Sequence, residues 1–215
     1  LDAASAGALN QAYAQYNGGL QLAAQNNLIT AEELEQRTIV FTEGEGNTMV
    51  LIDEDLTDLS GLMLPNFRQS TPADLFVLPL ASLIPQGYGT QIQLDDRWVL
   101  TPEEQAEIAN ATAQYNQVIA ALASANGFAL LDANTLLDQL ASTGIETSGL
   151  VITSDLVTGG AFSLDGVHPN SRGYAFIANE MLKAIDATYG SNFEASGNLV
   201  DVSSYNTNYS PGLLQ

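Results

Sequence analysis

Apolar and polar positions change their spacing several times along the 215-residue chain, and each change predicts an element. Leu9, Tyr13, Tyr16, Leu20 and Leu22 recur at near-helical intervals in an Ala-, Gln- and Asn-rich stretch, which predicts a helix over residues 3–27, weakened at Gly18 and Gly19. Thr30-Ala31-Glu32-Glu33 has the form of a capping box, in which the threonine oxygen meets the amide three residues on and Glu33 reaches back; a short helix to Gln36 follows. The β-branched runs at 38–42 and 48–52, separated by Glu43-Gly44-Glu45-Gly46-Asn47, predict a hairpin. The continuous apolar run at 75–80 predicts a strand buried on both faces and ending near Pro79. Loops are expected at 59–70 and 85–96.

Thr101-Pro102-Glu103-Glu104 is a second strong helix start, with proline where its missing N–H costs nothing. Ile108, Ala111, Tyr115, Val118, Ile119 and Leu122 then lie on one face, and Asn126-Gly127 ends the helix. Residues 128–132 read as a second buried strand, 134–141 as a short helix and 149–157 as an extended segment. A final helix is predicted over 171–188, with Tyr174, Ile177, Ala178, Met181, Leu182 and Ile185 as its core stripe. Strand, long helix, strand, helix, loop, helix is the rhythm of an α/β unit with a parallel sheet. Two such strands leave a sheet edge bare, so further strands are expected upstream of Leu1.

Composition narrows the function classes. With 25 acidic and five basic residues the net charge is −20, a field that repels nucleic acid and anionic lipid, so no nucleic-acid partner is expected. The absence of cysteine removes disulfides, thiolate nucleophiles and cysteine-based zinc sites. One histidine and no cysteine leave only carboxylate-rich metal sites, and the acidic run at 53–58 lacks the glycine-bearing spacing of a calcium loop; it reads as solvated. No apolar run approaches the roughly 18–20 residues of a membrane span.

The candidate chemistry gathers at that single histidine. Ser163-Leu164-Asp165-Gly166-Val167-His168-Pro169-Asn170 places an aspartate three residues before it, across a glycine turn, with a proline and a helix-capping residue after it. Such a loop can bring the Asp165 carboxylate to the His168 ring, fix its tautomer and stabilise the imidazolium, as the acid and base of a catalytic triad require. Ser60 and Ser82 lie nearest to apolar runs, but neither sits in the tight strand-to-helix turn that exposes a nucleophile. Asp132 and Asp155 are alternative acids, Asp132 fitting better as a helix cap. Trp98, beside Asp95-Asp96-Arg97, can flank a cleft or simply pack.

The segment Asp165-Gly166-Val167-His168-Pro169-Asn170, continuing through Ser171-Arg172-Gly173-Tyr174, resembles the last sequence block of the SGNH (GDSL) lipase and esterase family, and residues 71–189 resemble the C-terminal part of its bacterial members. The chain has no Gly-Asp-Ser, Gly-x-Ser-x-Gly or Gly-x-Asn-Asp block, so the family's nucleophile and oxyanion donors have no counterpart in it. The resemblance implies the C-terminal portion of a three-layer α/β/α, flavodoxin-like fold with an added hairpin and helices. It implies a serine ester hydrolase without cofactor, acting on a small ester or lipid, with Asp165 and His168 supplied here and the nucleophile by a missing N-terminal portion of the same protein. The chain alone is then expected to be close to inactive. The expected organisation is a helical and hairpin insertion or cap at 1–70, the C-terminal part of the hydrolase domain at 71–190 and an extended tail at 191–215. A secreted, cell-surface or outer-membrane-associated location fits a bacterial member, and a bare sheet edge favours self-association without fixing an oligomer.

A rival reading takes the chain as a non-catalytic surface module binding carbohydrate or a partner, supported by the acidic hairpin and by Tyr205 and Tyr209 in the tail. A third is phosphodiester hydrolysis at a carboxylate metal site.

Overall fold

The computed structural model describes residues 1–207, so Tyr209 and the end of the tail lie outside the described residues. The chain divides into two compact units, Leu1–Ala113 and Gln114–Gln215.

In the first unit, helix α1 (Ala3–Gln25) runs without a break through Gly18 and Gly19. At Gly19 the missing side chain has a use: a Cβ there would meet Leu64 Cδ2 at 2.5 Å. The α1 stripe Leu9, Tyr13, Tyr16 and Leu20 is buried with Ile39, Phe41, Val50 and Leu64. Helix α2 (Ala31–Arg37) starts on Thr30, whose Oγ1 accepts from the Glu33 amide at 3.1 Å. Only half of the capping box forms. The Glu33 carboxylate turns instead to Arg37 and to the amide and hydroxyl of Thr57.

The predicted hairpin re-pairs. Strand β1 (Val50–Ile52) joins β2 (Phe67–Gln69) antiparallel, with Leu51 opposite Arg68, and residues 38–42 form no strand. Two asparagines of α1 serve that extended stretch in place of a ladder. Asn17 accepts from the Ile39 amide at 3.0 Å and donates to its carbonyl at 2.8 Å; Asn10 does both for Phe41, at 2.8 Å each. The acidic run is not wholly solvated either. Asp53 is buried against Arg68, which also forms a bidentate pair with Asp74 at 2.7 and 2.8 Å. Burial would lower the Arg68 pKa, but the hydrogen bonds that Arg68 donates to Asp74 and Asp53 outweigh it and raise it.

The expected parallel three-layer sheet is absent among the described residues, and with it the flavodoxin-like α/β/α architecture. All three strand pairs are two-stranded and antiparallel, and parallel pairing is limited to single bridges such as Leu51–Leu94. The run at 75–80 yields only the two-residue strand β3 (Leu75–Phe76), paired antiparallel with β4 (Val99–Leu100); Leu78–Ser82, which holds Pro79, coils into a 3-10 turn. The run at 128–132 joins no ladder. Its Phe128 amide closes the preceding helix on Ala123 O at 2.9 Å, and the Ala129 amide goes to the Tyr189 hydroxyl at 3.1 Å. An apolar run records burial preference, but a parallel strand also needs a neighbour in register, and Phe128 and Leu130 are exposed.

Helix α3 (Pro102–Asn126) spans the division between the units and opens on a complete capping box: Thr101 N donates to Glu104 Oε2 at 2.7 Å and Glu104 N to Thr101 Oγ1 at 3.3 Å. Its predicted face does not become core; Ile108, Tyr115, Val118, Ile119 and Leu122 are exposed.

In the second unit, α4 (Ala133–Ser142) is capped by Asp132, which accepts from the Thr135 amide at 3.0 Å. Strands β5 (Ile145–Thr147) and β6 (Leu150–Ile152) form a hairpin, of which only β6 falls within the extended segment predicted at 149–157. Its two-residue turn, Ser148 (φ 49°) and Gly149 (φ 72°), has the double positive φ that matches strand twist. Helix α5 (Ser171–Tyr189) starts on Asn170, but its core face is rotated from the predicted stripe: Ala175, Phe176 and Asn179 are buried, while Tyr174 and Met181 are exposed. Gly173 explains the rotation. A Cβ there would lie 2.2 Å from Ala161 O, so the helix touches the chain before it at this point, and the face that holds Gly173 and Phe176 turns inward.

Candidate active site

The loop that carries the histidine is tied off at its base. Asn170 N donates to Ala161 O at 3.0 Å, Asn170 Nδ2 to Phe162 O at 3.1 Å, and Phe162 bridges Pro169 antiparallel. Asn170 Oδ1 meanwhile accepts from the Gly173 amide at 2.9 Å, so one side chain both closes the loop and starts α5. Inside the neck, Ser163 N donates to His168 O at 2.8 Å, and Gly166 (φ 71°) makes the turn between them.

This frame brings together the two residues singled out from sequence. His168 Nδ1 lies 2.7 Å from Asp165 Oδ2. The other carboxylate oxygen, Oδ1, accepts from Ser163 Oγ at 2.6 Å and from the amides of Val167 and His168 at 2.9 Å each. Those donors, Ser163 foremost, hold the Asp165 carboxyl well below the usual carboxylate range. An ionised Asp165 requires the proton on Nδ1, which leaves the Nε2 lone pair as a base. The His168 side chain is 72% exposed, so a reactant can reach that nitrogen. Among the described residues, Asp165 is the only side chain hydrogen-bonded to the ring.

The other candidates are engaged elsewhere. Asp132 caps α4, and Asp155 accepts from the Thr153 hydroxyl at 2.9 Å. Ser82 donates to Pro79 O at 2.8 Å, and Ser60 opens a 3-10 turn. Trp98 packs edge-on to Tyr88 at 5.9 Å. Tyr205 offers its carbonyl to Arg172 at 3.1 Å. Among the described residues, no group of three or more His, Asp or Glu side chains is placed to hold a metal ion, and no helix is long and apolar enough to cross a membrane.

Two features escaped the sequence reading. One is Ser163 as a donor to Asp165, for which the two-residue Ser-x-Asp spacing was the available signal. The other is an apolar cavity of about 240 Å³ beside the loop, formed by α4, α5 and the loop flanks; its walls come from segments far apart in sequence.

No known family model, curated protein or solved structure matches the chain.

Proposed function

We propose that the chain supplies the acid and base of a serine ester hydrolase, with Asp165 as the orienting acid, His168 as the general base and a nucleophile from outside these residues. One observation carries the reading: the 2.7 Å contact between His168 Nδ1 and a carboxylate whose second oxygen is held by three further donors. The resemblance of Asp165-Gly166-Val167-His168-Pro169 to the last block of the SGNH esterases points the same way.

In this mechanism Nε2 takes the serine proton as Oγ attacks the ester carbonyl. Asp165 stabilises the imidazolium without being protonated itself. The ring then returns the proton to the departing alkoxide, and the same sequence with water releases the acid. The well-braced carboxylate suits the task, because it keeps the ring in one orientation through both proton transfers.

The test is His168→Ala in the native gene product, assayed with p-nitrophenyl esters. A general base of this kind predicts a fall in kcat of at least about 10³-fold with little change in KM. Turnover that survives the substitution overturns the proposal.

A further inference from the structure

We propose that the cavity of about 240 Å³ beside the His168 loop is an acyl-chain pocket, selecting neutral medium-chain esters. This rests on the esterase reading above.

Three observations carry it. First, the lining residues are all apolar, with Leu136, Leu137, Phe162, Phe176 and Ile177 among them. The nearby carbonyls are spent: Ala161 O and Phe162 O both accept from Asn170, and Leu131 O from the Ala133 amide. A polar ligand would find few partners there, whereas a hydrocarbon chain needs none. Second, Val167 and Pro169, the two residues flanking His168, are part of the wall, so the cavity lies against the loop that carries the base. An apolar cavity of about 150 Å³ takes up benzene, and this one has room for a longer chain. Third, acidic residues outnumber basic ones in the sequence next to the lining: Asp132 and Asp138 border lining residues and Asp165 stands two residues from Val167, against Arg172 beside Gly173. Like charge disfavours a carboxylate at the mouth, so a neutral ester is admitted and the acid released by hydrolysis is expelled.

The experiment titrates this chain with methyl butanoate, methyl hexanoate, methyl octanoate and octanoate, following side-chain methyl resonances by NMR. The esters are expected to shift Leu136, Leu137, Val167 and Ile177, with affinity rising about fourfold per added methylene until the cavity is full. Octanoate should bind at least about tenfold more weakly than its methyl ester at low salt, and the gap should narrow as salt is added. Leu137→Trp should weaken methyl octanoate by about tenfold or more, while Leu137→Ala should move the preference to longer chains, an effect that misfolding cannot imitate. Affinity independent of chain length, or shifts confined to Leu9, Leu22 and Leu64 of the first unit, overturns the pocket. His168→Ala separates the two proposals. It should leave ester binding intact, so binding retained alongside His168-independent turnover sinks only the catalytic reading. His168-dependent turnover with no chain-length dependence sinks only the pocket.

Discussion

Asp165 makes more hydrogen bonds than orienting a ring requires, and the excess has a measurable consequence. Ser163 Oγ, the amides of Val167 and His168, and the His168 ring all favour the charged form, and the carboxyl pKa lies far below its ordinary 3.8. For a depressed carboxyl, the stabilisation is fully present above the unfolded pKa and is lost only as pH falls through the folded one. The His168 loop should therefore hold its shape through mild acid. At pH 3.8, where an unperturbed aspartate is half protonated, the Asp165 carboxyl carbon should still show the chemical shift of a carboxylate. A midpoint near 3.8 in its NMR titration would show that the four donors are not in place. The loop was legible because its parts are local: an aspartate, a glycine and a histidine within four residues, followed by an Asn cap, define their own geometry.

Among elements, local signals held and pairings did not. Caps at Asp132, Asn170 and Thr101 each act within three residues, and the helices they start formed where predicted. Strand partners are chosen over longer distances, and the β-branched run at 38–42 has the pattern of a ladder strand although its polar backbone is met by helix side chains. The cue for that substitution lies in Asn10 and Asn17, seven residues apart and so on one face of α1, but no local rule connects them to Ile39 and Phe41. Their importance can be measured. Asn17→Ala strips the partners from both the amide and the carbonyl of Ile39, a fully buried residue. Leaving a buried donor unpaired costs about 1–3 kcal/mol, and the better helix propensity of alanine returns roughly 0.6 kcal/mol. A net loss near 1–2 kcal/mol in urea unfolding is the expected outcome. An unchanged midpoint would mean that water satisfies the Ile39 amide.

At the scale of the whole molecule, charge is the dominant unresolved strain. Of the five basic side chains, Arg37, Arg68, Arg97 and Lys183 are already committed to Glu33, to Asp53 and Asp74, to Asp95 and to Glu180. Arg172 donates to the Tyr205 carbonyl. Most of the 25 carboxylates thus have no basic side chain paired with them among the described residues, and the net charge of −20 is readable from composition alone. What composition could not show is that the central cation, Arg68, is buried between two aspartates, where salt reaches it poorly. Screening should therefore act in one direction: it weakens the exposed repulsion and leaves the buried pairs intact. If raising NaCl from about 20 mM to about 0.5 M shortens the Debye length enough to relieve roughly 1–2 kcal/mol of repulsion, Tm should rise by about 2–8 °C for a chain of this length. Calorimetry in NaCl and in KCl should give the same rise, because the effect is one of ionic strength, and sucrose at matched osmolality should not reproduce the salt series. A flat or falling Tm would mean that the surface pairs at Arg97 and Lys183, both open to solvent, matter more than the repulsion around them.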